Sequence, residues 1–429
     1  MKNRIRSLCL AFSAVAAVLA ASDSDAIPAF ARQTNRACSG CHFQNYPNLN
    51  EVGRAFKAGG YTEMGKDVGR IEREDMSLPS TLMGSIFTKI RYQKTNGEDQ
   101  PGTRTTNSGE LQFPDEFSLL FGGRVSRNIG FFLEGQLANP SEPLLATFKI
   151  PFMFDVGPGK VGVIPFTTDS LGVAASFELL NTGAVHNQKA FEHAHQSTAQ
   201  DYVVGEYQAE GFAFVAHTPM FFANFAKWSP NHVAGGKGKS GNGSPSANYL
   251  RAALTPGLGD WDLGFGGQLW NGSARCDNTE CAGAGVGPMV DIKMRAWAID
   301  GQAQGKVGNF PLGVYVTHAK AKASQPGENP NFFNDTTNDK SASAIAAQLG
   351  VLPNKVTLML AYRAGRTTHP VTGEAAKDNA WTLGGTYQFA QNVQFQLQHS
   401  NSRGSLYDAP RPAGDTGNRL TTLMMSAAF

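Results

Sequence analysis

From Gly84 to the C-terminus, the sequence repeatedly alternates apolar and polar residues with a period of two. The first such segment has Ile86, Thr88, Ile90 and Tyr92 alternating with Phe87, Lys89 and Arg91. This period places successive side chains on opposite faces of a β-strand. Similar segments of about ten residues follow along the chain, a length typical of strands in a transmembrane barrel. The pattern predicts a mainly β protein.

Short turns and long polar loops alternate between these segments. The predicted turns are Asn128-Ile129-Gly130, Gly157-Pro158-Gly159, Glu210-Gly211, Pro256-Gly257-Leu258-Gly259, Val307-Gly308-Asn309, Pro353-Asn354 and Gln391-Asn392. The predicted long loops are residues 95–109, 230–248, 271–288, 324–340 and 402–418. Bacterial outer-membrane barrels have an even number of strands, short periplasmic turns and long outer loops. Seven turns on the side that holds both barrel ends indicate about 16 strands.

The composition agrees with a barrel and excludes a helical membrane protein. The chain has 429 residues, including 48 Gly and 28 Phe, with 17% charged residues. After the first residues, no apolar run approaches the roughly 20 residues that a spanning helix needs. Leu423, Met425 and Ala427 share a face with the terminal Phe429, which is typical of the last strand of an outer-membrane barrel. We therefore predict a transmembrane antiparallel β-barrel over residues 81–429, with several soluble domains as the alternative.

The N-terminus has the features of a secretory signal peptide. Lys2, Arg4 and Arg6 precede an apolar run from Leu8 to Ala21, and small residues follow at Ser24-Asp25-Ala26. The run is too short for a membrane anchor. We predict that residues 1–26 are removed on export, which fits a location in the bacterial outer membrane.

The sequence Cys38-Ser39-Gly40-Cys41-His42 has the spacing at which c-type haem is attached. Cys38 and Cys41 would form thioethers to the porphyrin edge, and His42 would bind the iron. A thioredoxin-like redox pair and half of a zinc site are the alternatives. Zinc would need a second pair of ligands nearby, and the next histidine is His186. The motif therefore predicts one covalently attached haem c.

Residues around this motif are predicted to be helical. Pro28 suits the first position of a helix that continues to Ala37 and into the motif. Asn48 and Glu51 have the spacing of a capping box that begins a second helix. Gly59-Gly60 would end that helix.

These residues resemble a known family. The matching positions are Ala26 to Thr34, Cys38 to His42, Pro47 to Asn50, Gly53, Phe56-Lys57 and Gly60-Tyr61. They resemble the N-terminal module of outer-membrane cytochrome-porin fusions that oxidise extracellular ferrous iron. The resemblance implies a small α-helical monohaem cytochrome c-like module at residues 27–80, placed in or at the periplasmic mouth of a porin. It also implies that the Pro47 carbonyl orients His42, as such bonds do at metal sites.

The second axial ligand of the haem iron is the least constrained part of this prediction. Met64, Met76 and Met83 are the methionines that follow His42 before the barrel. We favour Met76, because Met64 follows the second helix almost at once and Met83 begins the first predicted strand. Methionine opposite histidine would raise the reduction potential. A histidine from the barrel and an open site are the alternatives.

Together these features predict an outer-membrane electron-transfer protein without a catalytic residue of its own. Electrons would pass from an extracellular donor, with Fe(II) the first choice, through one haem to a periplasmic carrier such as a soluble cytochrome. A porin with a haem-bearing plug or sensor, and a conduit for outward electron flow, are the alternatives. A net charge of +2 and the absence of any nucleic-acid motif indicate no nucleic-acid partner.

Two further clusters have simpler interpretations. His193 and His195, within Glu192-His193-Ala194-His195, could bind a metal ion, but a polar loop is the favoured interpretation. Cys276 and Cys281 lie in a predicted outer loop of an exported protein, where a disulfide is expected.

We predict that Cys276 and Cys281 are linked to each other. Alkylation of the denatured, unreduced mature protein should then modify no cysteine, whereas prior reduction should expose two thiols per chain. Mass spectrometry after alkylation distinguishes the two results. One readily alkylated cysteine in the unreduced protein would contradict the prediction.

Overall fold

The computed structural model describes residues 27–97, 107–137, 144–183, 190–231, 244–276, 290–410 and 416–429. The predicted signal peptide, Cys281 and His186 lie outside these ranges. The helices are α1 (Pro28–Thr34), α2 (Cys38–Cys41), α3 (Glu51–Ala58) and α4 (Ala199–Val204), with 3₁₀ turns at Val173–Ser176 and Ser405–Tyr407. Within the described ranges, we find no helix with the length and apolar character needed to cross a membrane.

Most of the chain is β-strand. The strands are β1 (Arg70–Arg73), β2 (Met76–Pro79), β3 (Gly84–Thr95), β4 (Glu110–Arg124), β5 (Gly130–Gln136), β6 (Leu145–Lys149), β7 (Phe152–Val156), β8 (Gly159–Thr168), β9 (Ala209–Thr218), β10 (Phe221–Ser229), β11 (Ala247–Leu254), β12 (Gly257–Leu258), β13 (Trp261–Asn271), β14 (Ser273–Cys276), β15 (Val290–Lys293), β16 (Ala296–Val307), β17 (Phe310–Ala321), β18 (Lys340–Leu352), β19 (Val356–Thr368), β20 (Ala375–Ala390), β21 (Val393–Arg403) and β22 (Arg419–Ala428).

Strands β3 to β13 and β16 to β22 form a closed antiparallel barrel. Because β6 and β7 both pair with β8, and β11 and β12 both pair with β13, each of these pairs forms a single barrel strand. The barrel therefore has 16 strands, which confirms the predicted number. Pairing of β22 with β3 closes it. Phe429 extends this closure, since its N–H and carbonyl bond the Ile86 carbonyl and N–H at 2.8 and 3.1 Å.

The two faces of the barrel wall differ in polarity. Along β19, Leu358 and Leu360 point outward and are 51% and 56% exposed, whereas Thr357 and Arg363 between and beyond them point inward and are 1% exposed. Other strands repeat this alternation, with outward Phe, Leu, Ile and Val and many inward Gln, Thr and Ser. An apolar outer surface around a polar interior is the pattern of a barrel that spans a lipid bilayer.

The short connections all lie at the end of the barrel that also holds Gly84 and Phe429. Six of the seven predicted turns fall between paired strands at this end. The predicted turn at Glu210-Gly211 is wrong, because both residues lie within β9 and the turn occurs between Thr218 and Phe221. Gly211 has a packing role instead. A Cβ atom there would lie 2.1 Å from the Lys227 carbonyl oxygen on the neighbouring strand.

Residues 27–83, which we call the plug, lie at the short-turn end, where helices α1 to α3 enter the barrel and the β1–β2 hairpin stays mostly exposed beside the turn between β4 and β5. Their bonds reach strands on several sides of the lumen. The Ala29 N–H donates to Ser85 Oγ of β3 at 3.0 Å, and Arg54 Nη2 pairs with Asp262 of β13. Asn48 Nδ2 donates to Gln348 of β18 at 2.5 Å. The plug contains helices α1 to α3 followed by the β1–β2 hairpin, so the predicted all-helical module at residues 27–80 is only partly helical.

Residues 169–183 and 190–208, the described parts of the connection from β8 to β9, also fold into the lumen, and we call them the inner loop. Thr182 Oγ1 donates to Asp300 of β16 at 2.9 Å, and the Ala199 N–H donates to Thr317 Oγ1 of β17 at 2.8 Å. The inner loop meets the plug directly. The Leu49 N–H donates to Asn181 Oδ1 at 2.9 Å, and Asn181 Nδ2 donates to the Leu49 carbonyl at 2.8 Å. The plug thus enters the lumen from the short-turn end, and the inner loop enters it from the long-loop end.

The apolar outer surface generates a stability prediction with a matched control. Replacing Leu360 with Arg near the middle of β19 should destabilise the folded barrel by about 2–4 kcal/mol, because the charge enters the centre of the bilayer. The same change at Leu352, the equally exposed last residue of β18, should cost about 0–1 kcal/mol at the membrane interface. Urea unfolding in lipid vesicles measures both. Equal destabilisation by the two substitutions would contradict a membrane-spanning orientation.

Candidate functional site

The C-x-x-C-H motif forms one separate helical turn. Helix α1 begins at Pro28, as predicted, but ends at Thr34 because Asn35 adopts the left-handed conformation with φ of 52°. The predicted helix to Ala37 is therefore too long. Helix α2 then spans Cys38–Cys41, and the His42 N–H donates to the Cys38 carbonyl at 2.9 Å. A spacing of three residues on a helix brings the two thiols to the same side.

A backbone carbonyl fixes the imidazole of His42. Its Nδ1 lies 3.1 Å from the carbonyl oxygen of Asn48. A carbonyl only accepts hydrogen bonds, so Nδ1 carries the proton and Nε2 is the nitrogen suited to bind a metal. The predicted partner was the Pro47 carbonyl, one residue earlier. The antiparallel bridge between His42 and Leu49 places the Asn48 carbonyl there, and Pro47 lines the neighbouring cavity.

Helix α3 packs closely against this motif. Its N-cap is Asn50, whose side chain accepts from the Gly53 N–H at 3.0 Å. The predicted cap was Asn48, but that side chain bonds Gln348 on the barrel wall. The helix ends at Ala58, and Gly59 is its C-cap, as predicted. A Cβ atom on Gly53 would lie 2.2 Å from the Cys41 carbonyl oxygen, so only glycine allows α3 this close approach.

A cavity of about 360 Å³, which we call the inner cavity, opens beside the motif. Cys41 and His42 line it, and Cys38 and His42 line a small adjoining void. Six aromatic rings form much of its wall: Phe30, Tyr46, Phe56, Tyr61, Phe87 and Phe132. Pockets for cofactors usually measure about 300–1,000 Å³ and are mostly apolar.

Charged side chains line the part of the inner cavity that the barrel wall forms. Lys89 Nζ lies 2.6 Å from Glu116 and also contacts Glu192. Lys149 Nζ donates to the Ala175 carbonyl at 2.7 Å. It also lies 5.8 Å from the centre of the Tyr61 ring. Each ammonium group is therefore stabilised by carboxylate, carbonyl or ring contacts, as buried charges require.

The residues present fit a covalently attached haem. Two thiols on one helical turn, an imidazole oriented through Nδ1 by a backbone carbonyl, and aromatic walls match the needs of the ring and its iron. A redox dithiol fits less well. Burial raises the pKa of the Cys41 thiol despite the nearby Arg36 guanidinium, whereas reactive cysteines have lowered pKa values. Across the described residues, no group of three or more His, Cys, Asp or Glu side chains is arranged to hold a metal ion.

The structure places Met76 apart from the other predicted haem residues. Met76 lies in β2, is 37% exposed and pairs with Arg73 in the hairpin. The described residues that line the inner cavity include neither Met76 nor Met64 and Met83. Cys38, Cys41, His42 and Pro47 come together around one site, and Met76 does not join them.

His193 lies in the inner loop and bonds to the barrel wall. Its Nε2 is 3.2 Å from Asp115 Oδ2, and its Nδ1 is 2.7 Å from Arg91 Nη1. For His195, burial lowers the imidazole pKa. These contacts agree with the interpretation of this stretch as a polar loop. The predicted Cys276–Cys281 disulfide falls on residues whose side chains lie outside the described part of the chain.

The sequence did not indicate that the inner loop enters the lumen. No periodic pattern marks the segment, and some of the residues that hold it, such as Asp300 and Thr317, are more than 100 positions away. Its length between two clear strands is one clue. Its apolar residues are another, because a connection that stays outside the barrel does not need to bury them. Here Val173, Phe177 and Leu180 are almost completely buried.

Fold and site together define a 16-stranded β-barrel protein with a plugged lumen and a candidate haem site. No protein-family model matches the chain, and none of the curated proteins compared with it matches. Among solved structures it is similar to OmpT, an outer membrane protein of Vibrio cholerae, at 10% identity over 85% of this chain and 100% of that one, with a TM-score of 0.47.

Two further structures are similar at the same level. OmpF of Salmonella typhi has 10% identity over 84% of this chain and 100% of its own, with a TM-score of 0.47. OccK10 (OpdN) of Pseudomonas aeruginosa has 11% identity over 83% of this chain and 99% of its own, with a TM-score of 0.44. Because these identities and TM-scores are low, the barrel fold is assigned from the strand pairing of this chain itself and not from its similarity to these structures.

The close approach of α3 to the motif generates a prediction. Gly53→Ala should lower the amount of haem per folded barrel, because a methyl group at 2.2 Å from the Cys41 carbonyl forces α3 away from the motif. Haem-stained gels of purified barrel measure the ratio. The matched control is Gly257→Ala in β12, where nothing lies within 4 Å of the added atom. Equal haem content in both variants would count against tight packing at this site.

Proposed function

We propose that this chain is an electron-transfer protein of the bacterial outer membrane that carries one haem c. Cys38 and Cys41 would hold the ring covalently, and His42 would bind the iron. The single observation that carries the proposal is the inner cavity. It brings this motif, six aromatic rings and a volume suited to a cofactor together inside the barrel.

The position of the inner cavity supports transfer across the membrane. Cys38 lies at the short-turn end, where its N–H donates to Gln391 Oε1 between β20 and β21 at 2.9 Å. The cavity also reaches Gln136 and Asp169, which lie at the outer ends of β5 and β8. The apolar band of such barrels is about 25 Å tall and insulates the two sides from each other. A redox group in this cavity would lie within that band.

Haem iron would supply one-electron exchange, and the residues of this chain would set its surroundings. The Asn48 carbonyl holds His42 in one orientation. The aromatic side chains of the inner cavity would exclude water from the ring, so that less solvent would reorganise when the charge on the iron changes. Plug and inner loop both lie in the lumen, an arrangement that favours electron transfer over diffusion of solutes.

The partners follow from these positions. The donor would act at the long-loop end, and the resemblance of the plug to the iron-oxidising family makes ferrous iron the first candidate. A periplasmic carrier such as a soluble cytochrome would dock at the short-turn end. The exposed apolar side chains of the wall would contact outer-membrane lipid.

A porin whose plug bears the haem is the second candidate function. The barrel itself supports it, since a closed 16-stranded wall with many inward Gln, Thr and Ser side chains suits a water-filled pore. The two candidate functions differ in what must cross the membrane: electrons in the first and solutes in the second. Outward electron flow would use the same residues in the opposite direction.

Removal of the attachment cysteines tests the proposal. Cys38→Ala/Cys41→Ala should assemble a heat-modifiable barrel without covalent haem, because barrel stability depends on strand pairing and not on the haem. External ferrous iron should then be oxidised no faster than by cells that lack the protein. Haem-stained gels, outer-membrane fractionation and Fe(II) oxidation by intact cells measure these results.

The matched control removes the other cysteine pair. Cys276→Ser/Cys281→Ser should keep both the haem and the oxidation rate. If the haemless barrel oxidised external ferrous iron at the normal rate, the electron-transfer proposal would be wrong and the porin function would replace it. Reduction of the haem from outside by a donor that cannot cross the membrane would separate inward from outward flow.

A further inference from the structure

A small void lies beside the candidate haem site at the short-turn end of the barrel. Its volume is about 30 Å³, and Cys38 and His42 are among the residues that line it. Four amide side chains from β20, β21 and the turn between them also line it: Gln388, Gln391, Asn392 and Gln394. We call it the amide void. A polar space needs about 10–15 Å³ to hold one water-sized group, so the amide void has room for one or two such groups.

Gln388 and Gln394 each have a buried side-chain oxygen with no hydrogen-bond donor among the described residues. The two glutamines are direct partners in the β20–β21 pair, and they are only 8% and 5% exposed. The orientation of the Gln388 amide is fixed, because its Nε2 donates to the carbonyls of Ala390 and Gln391, each at 2.8 Å. Its Oε1 must accept from another group, since a buried oxygen without a donor is costly.

Ile27 lines both the amide void and the inner cavity, as does His42. Ile27 is the N-cap of α1, and its carbonyl accepts from the Phe30 N–H at 2.8 Å. Two residues further on, the Ala29 N–H donates to Ser85 Oγ of β3 at 3.0 Å. These bonds hold the start of α1 against the wall, so the fold itself keeps Ile27 beside the two glutamine oxygens.

Removal of the predicted signal peptide would change the chemistry of Ile27. Hydrolysis of the Ala26–Ile27 peptide bond by water leaves a carboxylate on Ala26, which departs with the signal peptide, and an amino group on Ile27. Near neutral pH most of this amino group is an ammonium with three N–H donors. The mature chain would then begin with a cationic donor beside two buried oxygens that need one.

We propose that the N-terminal ammonium of the mature chain occupies the amide void and donates hydrogen bonds to the side-chain oxygens of Gln388 and Gln394. Hydrogen bonds from a charged donor are stronger than those from water. A second role rests on the proposed function, because the ammonium would place a fixed positive charge beside His42. Such a charge favours the reduced, less positive state of the haem iron and so raises its reduction potential.

Acylation of the N-terminal amine tests the site without any need for haem. The mature barrel, purified from outer membranes, should begin at Ile27 by intact mass. At about pH 7.5, a water-soluble N-hydroxysuccinimide ester favours α-amines over lysines, because the pKa of a free α-amine is near 8. The folded barrel should react at Ile27 about ten times more slowly than the heat-denatured barrel, because hydrogen bonds favour the protonated form, which does not react.

Peptide mass spectrometry measures both rates. A first residue other than Ile27, or equal rates in the folded and the denatured barrel, would overturn the site. Water alone in the amide void would give this second result.

Two kinds of variant identify the acceptors. Gln388→Met/Gln394→Met removes both oxygens at similar side-chain volume and should bring acylation of the folded barrel close to the denatured rate. Gln396→Met is the matched control, because Gln396 lies on β21 and is similarly buried, but the described residues that line the amide void do not include it. Acylation of this control should stay slow. Heat-modifiable migration on gels shows that each variant is folded.

A second variant leaves the wall unchanged. One Ala inserted between Ala26 and Ile27 moves the new amino group along the chain by one residue, and it should also raise the acylation rate. If acylation stays slow in the Ala insertion, or in a folded Gln388→Met/Gln394→Met barrel, the glutamine oxygens do not hold the ammonium and the proposal is wrong.

A redox titration tests the second role. In protein with covalent haem, the Ala insertion should lower the midpoint potential relative to the parent, whereas Gln396→Met should leave it unchanged. The same potential in the Ala insertion and the parent would overturn the effect of the ammonium on the haem. Failure of the proposed function would instead appear as a barrel without covalent haem, whose N-terminal amine is still slow to acylate.

Discussion

The rest of the structure depends on the pairing of β22 with β3. Within a lipid bilayer, every backbone N–H and carbonyl needs a partner from the protein itself, so the first and last strands must meet. Nine residue pairs join these two strands, from Leu420 with Thr95 to Ala428 with Phe87. Closure at this point gives each barrel strand a neighbour on both sides and separates an apolar exterior from a polar interior. That interior can then hold charged and hydrogen-bonding groups that lipid would not tolerate.

Plug and inner loop are held by the wall more than by each other. Arg54 of the plug pairs with Asp262, and Arg251 of β11 lies between Glu178 of the inner loop and Asp300 of β16. The Arg251 and Glu178 side chains are completely buried. Such buried ion pairs contribute little net stability, since desolvation offsets their attraction, but removing one partner is costly. The ion pairs therefore define the positions of the plug and the inner loop in the barrel. The inner cavity is the space that remains between these two segments and the wall.

The sequence predicted the structure correctly where residues close together in the chain determine it. Alternation with a period of two and glycine-containing turns predicted the barrel and its strand number, because these patterns reflect the two environments of a barrel wall. The C-x-x-C-H spacing likewise places its thiols and imidazole on one turn. Predictions were wrong where contacts between residues far apart in the sequence determine the local structure. Gly211 serves a neighbouring strand rather than a turn, and Asn48 bonds the barrel instead of capping α3.

The half-buried position of the C-x-x-C-H motif has a consequence for biogenesis. Cys41 and His42 face a cavity that the plug, the inner loop and the strands β3 to β6 line, so a haem-attaching enzyme would find little room to reach them in the finished barrel. On the proposed function, the thioethers would have to form while the plug is still an accessible periplasmic segment. The chain would then mature in a fixed temporal order, with covalent modification first and insertion into the membrane second.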